Sequence, residues 1–203
     1  MLVQLVVVFF FLAVSACGQV CTDVIYGHLA LCSVRQDGTV WCSGKNNYGQ
    51  LGNGFNTSEY DPEDTTTVQA IGVTDVVSLH SDPASSRFIG IRSDGSLVGW
   101  GKNQYKELLA DDELVNTPVP VWNFTNVVDV AIGSLHTCVL TTESDVYCWG
   151  RQDLGTLGDG YYSPSASAPI RDIPYHATTG LREIESNAFS TCGRTMSGAL
   201  RCW

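Results

Sequence analysis

The stretch Cys138-Val139-Leu140-Thr141-Thr142-Glu143-Ser144-Asp145-Val146-Tyr147-Cys148-Trp149-Gly150 decides how this chain is read, because its framework returns elsewhere. CSVRQDGTVWCSG (32–44) and CGRTMSGALRCW (192–203) place Cys32 with Cys42 and Cys192 with Cys202 at the same separation. IGIRSDGSLVGWG (89–101) reads alike, except that Ile89 and Gly99 stand where both cysteines would be. Residues that appear and vanish together behave as partners in a bond and not as independent core thiols. The unit recurs at intervals of about 50 residues, the size of a propeller blade or a solenoid turn.

The spacing sets a register. If Cys32 lies opposite Cys42, Gln36-Asp37-Gly38 forms a three-residue hairpin loop, which favours a type I turn closed by a left-handed residue. Glycine carries no steric cost there, and Gly38, Gly95 and Gly198 share that position. Ser144 is the exception and is expected to be slightly strained. Opposed strand residues have Cβ atoms about 4.5–5.5 Å apart, so a small adjustment permits a disulfide.

Each hairpin follows a short β-branched run: Thr22-Asp23-Val24-Ile25, Thr74-Asp75-Val76-Val77 and Thr125-Asn126-Val127-Val128. A glycine-rich turn comes after it in the first and third units, at 48–54 and 154–160, whereas the second keeps Tyr105 and Leu108 but loses the glycines. Prolines then appear (Pro62, Pro118, Pro120, Pro164, Pro169), and proline suits edges and loops rather than central strands. Short strands, turn signals and no 3.6-residue period predict an all-β repeat.

The run Gly133-Ser134-Leu135-His136-Thr137-Cys138-Val139-Leu140, with Val146-Tyr147-Cys148-Trp149-Gly150 and Leu157-Gly158-Asp159-Gly160, resembles the regulator of chromosome condensation repeat. The cysteine-paired form is similar to secreted members and to the ectodomains of crinkly-type receptor kinases. The resemblance covers about residues 22–203, and it implies β-propeller blades of a scaffold that binds many partners. The family's usual product is a closed seven-bladed ring of four-stranded blades. This chain supplies units at about 22–73, 74–124 and 125–180 and the start of a fourth at 181–203, an incomplete propeller within a 19–203 repeat domain. Part of a longer sequence is the first expectation; assembly with other chains and a short open array are the alternatives.

Residues 1–18 read as a signal peptide, with an apolar centre at 6–12 that is too short for a membrane helix of about 20 residues. The basic n-region is missing, the first Lys or Arg being Arg35. Cleavage after Ala16 leaves Cys17 to pair with Cys21, whereas cleavage after Gly18 leaves Cys21 odd. Export agrees with paired cysteines, since disulfides persist in oxidising compartments. It also makes Asn56-Thr57-Ser58 and Asn123-Phe124-Thr125 candidate glycosylation sequons, both in predicted loops. No second hydrophobic span follows.

The 203 residues are 44% hydrophobic and 16% charged, ordinary for a folded chain. The net charge of −10 arises from 11 basic against 21 acidic residues without a basic cluster, so the electrostatics work against nucleic acid and anionic membranes.

Candidate chemistry is sparse. C-x9-C lacks the short ligand spacing of zinc sites, and no histidine accompanies each pair. His136 is expected to be a packed ring bonded to backbone, because Ala30, Arg87 and Ser190 hold the equivalent places. His80-Ser81-Asp82 has triad residue types, but neighbours in one short loop cannot form a triad. Asp111-Asp112-Glu113 lacks the alternating ligands of a calcium loop, and the glycine-rich turns lack the helix and lysine of a phosphate loop. Tyr161-Tyr162 is either a contact patch or the cover of a neighbouring blade.

The expectation is a secreted or cell-surface protein-binding module with no cofactor and no catalysis of its own. Its contacts would come from variable segments 55–72, 111–121 and 161–179. A receptor-kinase ectodomain and a guanine-nucleotide exchange factor for a small GTPase are the alternatives.

Overall fold

The computed structural model describes residues 20–57, 66–152, 154–162 and 169–203; the signal-peptide reading and Cys17 lie outside them. The first blade comprises β1 (Cys21–Gly27), β2 (Ala30–Arg35), β3 (Val40–Gly44) and β4 (Val68–Gln69), hydrogen-bonded in that order. The second holds β5 (Val76–His80), β6 (Arg87–Arg92), β7 (Leu97–Lys102) and β8 (Leu114–Pro120). The third holds β9 (Val127–Ile132), β10 (His136–Thr141), β11 (Asp145–Arg151) and β12 (Ile170–Thr179). Three strands follow in a fourth sheet, β13 (Leu181–Ser186), β14 (Thr191–Thr195) and β15 (Leu200–Cys202). Among the described residues every element is a strand, in four small sheets arranged as propeller blades.

The register derived from spacing is the register observed. Cys32 opposes Cys42, Cys138 opposes Cys148 and Cys192 opposes Cys202, while Ile89 opposes Gly99 at the same place. Each cysteine pair is a disulfide, with Cα atoms 4.1, 4.1 and 4.0 Å apart. Cys21 is also disulfide-bonded. The three-residue turns close by the same backbone bond, from Gly38, Gly95, Ser144 and Gly198 N–H to the carbonyl three residues back. Ser144 sits at φ 65° beside glycines at 75°, 76° and 89°, the strain that its side chain implies.

Inner strands β1, β5, β9 and β13 carry one blade to the next. Asp23 Oδ2 accepts from Leu79 N–H, and Asp129 Oδ2 accepts from Ile184 N–H, each 3.0 Å and each between neighbouring blades. Below them the hairpin turn of one blade meets the strand start of the next, as in Val76 N–H to Gly38 O and Val127 N–H to Gly95 O. The glycine at the end of the third strand is set by the turn it crosses. Gly44 and Gly150 have φ of 106° and 111°, and a Cβ there would lie 2.5 and 2.6 Å from the carbonyls of Leu29 and Leu135.

Segments 55–72, 111–121 and 161–179 are not loops throughout, since they contain β4, β8 and β12, the outer edge of each blade. Pro118 and Pro120 lie in β8 and Pro174 in β12, and an edge strand tolerates a residue with no N–H to give. Pro118 and Pro120, which suggested a loop, therefore mark an outer strand.

Candidate recognition face

Up-and-down strands divide the surface into two faces. The β3–β4, β7–β8 and β11–β12 loops and the β1–β2-type turns lie at one end, the loop face. The short hairpin turns and the links between blades lie at the other, the turn face. Of the described residues in the candidate segments, 55–57, 66–67, 111–113 and Tyr161-Tyr162 fall on the loop face, whereas 70–72 and Val121 follow the edge strands into the links on the turn face.

Buried side chains shape the long loops. Asn46 and Asn103 are 5% and 1% exposed, and the Oδ1 of each accepts the N–H of the leucine five residues on, Leu51 or Leu108, at 3.0 and 2.7 Å. Asn103 Nδ2 also donates to the carbonyls of Ala110 and Asp112, so the acidic run is held from within. Nothing in their spacing betrayed these asparagines; lysine-asparagine after the tryptophan-glycine or cysteine-serine-glycine end was the available signal.

Seams between blades are also built beneath this face. Trp100 Nε1 donates to Gln50 O and Trp149 Nε1 to Glu107 O, each at 2.9 Å. Lys102 lies 5.4 Å over the Tyr48 ring and Arg151 5.2 Å over Tyr105, so a cation of one blade covers an aromatic of the preceding one. Arg87 and Glu107 are both fully buried and form an ion pair. Arg87 Nη1 and Nη2 donate across the seam to Gly133 O and Ser134 O at 2.7 and 2.9 Å, and Nε to Lys102 O at 3.1 Å. Sequence reasoning noted Arg87 only as the place where another unit has histidine, and it missed Glu107.

His136 takes the same position one blade later. It is fully buried, and its Nε2 lies 2.8 Å from the Thr191 hydroxyl in the next blade, so it meets a side chain and not the expected backbone partner. Burial, reinforced by the Arg87 charge, lowers its pKa to about 4. A ring that is neutral at pH 7 and sealed from solvent pins two blades and has no access to a substrate.

Other candidates do not converge. His80 Nε2 meets Ser78 Oγ at 3.2 Å, whereas Ser81 Oγ donates to Arg87 O and Asp82 closes a turn through Ala84 N–H. Among the described residues no three His, Cys, Asp or Glu side chains are grouped to hold a metal ion. Asn56 and Asn123 are both exposed and outside strands, on the loop face and the turn face respectively. On the turn face a groove of about 410 Å³ runs between the second and third blades, lined by Val77, Ile91, Arg92, Asp94, Thr125 and Val128 among others. Paired acids, histidine and cysteine are lacking from its lining.

What the loop face does expose is aromatic. Tyr161 and Tyr162 are 40% and 69% exposed, and Leu154, earlier in the same loop, is 41% exposed. Phe55, in the equivalent loop of the first blade, is 70% exposed.

The family model described as the Regulator of chromosome condensation (RCC1) repeat matches residues 37–79 and 94–140, and a second model of that description matches 127–156. The E3 ubiquitin-protein ligase HERC2 of Homo sapiens is 33% identical over 130 residues, 63% of this chain and 3% of that protein. The Ultraviolet-B receptor UVR8 of Arabidopsis thaliana is 29% identical over 149 residues, 72% of this chain and 33% of that protein. This chain thus spans a third or less of these relatives. Yeast RCC1 (Prp20), solved with Kap60, superposes with a TM-score of 0.76 at 19% identity, over 92% of this chain and 44% of that one. Human WBSCR16 superposes with a TM-score of 0.71 at 22% identity, over 92% and 48%. At such identities the superpositions speak for the fold alone.

Proposed function

Because this chain belongs to the Regulator of chromosome condensation (RCC1) repeat family, we propose that it is a secreted or cell-surface protein-binding module with no catalysis of its own. The recognition surface is the loop face, centred on the third blade. The observation that carries this reading is the exposure of Tyr161 and Tyr162 in the loop that leaves β11, the strand bonded to β10 by Cys138–Cys148. Tyrosines on a rigid support supply contact area at small entropic cost. What supports export is the set of three disulfides together with the apolar leader.

Screening the oxidised domain against a displayed library of extracellular proteins tests the face. Affinity for a selected partner is expected to fall by about ten-fold or more in Tyr161→Ser/Tyr162→Ser. Unchanged binding by that variant would move recognition elsewhere. Six reduced thiols in a product retained in the cytosol would end the export reading. They would also favour the alternative of guanine-nucleotide exchange on a small GTPase, which a nucleotide-release assay measures directly. A transmembrane span and kinase encoded beyond Trp203 would establish the receptor-kinase alternative.

A further inference from the structure

Each of the two sequons follows directly on an exposed aromatic ring. Phe55, 70% exposed, precedes Asn56, and Trp122, 45% exposed, precedes Asn123. The two sites lie on opposite faces and in different kinds of loop, so no repeat periodicity makes them alike.

Both tips are clamped on either side of the asparagine. Around Asn56, the buried Asn46 donates through Nδ2 to Phe55 O at 3.0 Å and accepts from Thr57 N–H at 3.0 Å, so its neighbours are fixed while Asn56 projects. Around Asn123, Val121 is buried and bonded to Leu97 O, and Phe124 packs against Tyr147 and Trp149 at 5.7 and 6.1 Å between ring centroids. Trp122 holds φ 60°, a strained conformation for a bulky residue, and still leaves nearly half its surface in water. An apolar ring in water next in sequence to an exposed amide suits a ligand that is apolar on one side and polar on the other. A pyranose is such a ligand: its axial C–H face packs on an aromatic ring while its hydroxyls stay hydrated.

We propose that Phe55 and Trp122 are platforms for the first N-acetylglucosamine of N-linked glycans carried by Asn56 and Asn123. The inference rests on the export reading, because only a chain that enters the secretory pathway meets the glycosylation machinery. In the attachment step the asparagine amide nitrogen displaces the pyrophosphate of a lipid-linked oligosaccharide. The sugar C1–N bond forms, the C1–O bond to phosphate breaks, and one amide proton leaves. Glycan at Asn56 confines the uncovered loop face to the second and third blades, where Tyr161 and Tyr162 lie.

The test uses the chain secreted from a eukaryotic host, once with its own leader and once with a foreign one, with glycans trimmed to a single N-acetylglucosamine. Glycopeptide mass spectrometry is expected to find both asparagines occupied. The Asn123 sugar should raise Tm by about 2–4 °C relative to Asn123→Gln, and that gain should vanish in Trp122→Ala; Phe55→Ala should do the same at Asn56. Upfield ring-current shifts of the sugar protons in the unmutated protein give a second readout that does not depend on any variant folding. Bare asparagines on an exported chain overturn the inference. Occupied sites with no ring-current shift and an undiminished gain in the alanine variants overturn the stacking and leave export standing. Retention with the native leader alone sinks the export reading, while the foreign leader still decides the stacking.

Discussion

The second and third blades share one strand register and differ in what closes them. In the third, Cys138 and Cys148 are bonded directly across the central hairpin. In the second, Ile89 is buried opposite Gly99, and the space over that glycine is filled by Leu108 and Val121, whose methyls would lie 2.8 Å from any Cβ added there. A covalent staple and apolar packing are thus alternative solutions within a blade. At the seam to the next blade the contrast continues, because the second uses the buried Arg87–Glu107 pair and the third uses the neutral ring of His136 on Thr191.

The largest effect expected from breaking this contrast comes at the charged seam. Glu107→Ala leaves a buried guanidinium without its counter-charge and should cost about 3–5 kcal/mol in guanidinium denaturation. A loss under about 1 kcal/mol would mean that the three carbonyls around Arg87 suffice by themselves.

Acid should separate the two seams. The unfolded His136 imidazole takes up a proton near pH 6.5 and the folded one only near 4, so the unfolded state binds more protons between those values. Stability contributed by the neutral ring is complete above about pH 6.5 and lost as pH falls to about 4, a change of about 3 kcal/mol. His80, whose pKa burial also lowers, adds to the slope with the same sign. Denaturation midpoints across that range should flatten in His136→Gln; an unaltered slope would assign the acid sensitivity elsewhere.

The staple comes next. Removing it with Cys138→Ala/Cys148→Ala should cost about 2–3 kcal/mol. Installing one with Ile89→Cys/Gly99→Cys should return less than half of that, because the new Cβ must displace Leu108 and Val121. A full gain would show that the packing yields freely and that the second blade merely lacks its bond.

The smallest effect is at the turns. Ser144→Gly should stabilise by about 0.5–1 kcal/mol by relieving the positive φ. The reverse exchange, Gly95→Ser, should cost more than that, since its Cβ would lie 2.6 Å from Thr125 O in the link to the next blade. Thermal melts of the two variants in one buffer would check the sign of each.

Much of the fold was legible because a two-residue side-chain period and a fixed turn length leave the hairpin register no freedom. From that followed the opposed cysteines, the strained Ser144 and the repeat of strands. The edge strands β8 and β12 were misread as loops because proline rules out only a central position, and a sequence does not say which strand is outermost. The candidate recognition face was legible in part: Tyr161-Tyr162 stood out by residue type, but how far they met solvent depended on the packing of the whole blade.

Local spacing by itself determined the hairpins and their three disulfide partners, since each involves residues within about ten positions of one another, and the return of that spacing marked the blade-sized repeat. Only the tertiary structure decided that Arg87 meets Glu107 and the Gly133 and Ser134 carbonyls, that His136 meets Thr191, and that Phe55 and Trp122 stay in water beside their asparagines. The physical reason is that burial and pairing of polar groups depend on the seam between blades, and the seam comes into being only when segments 46 to 55 residues apart are brought face to face.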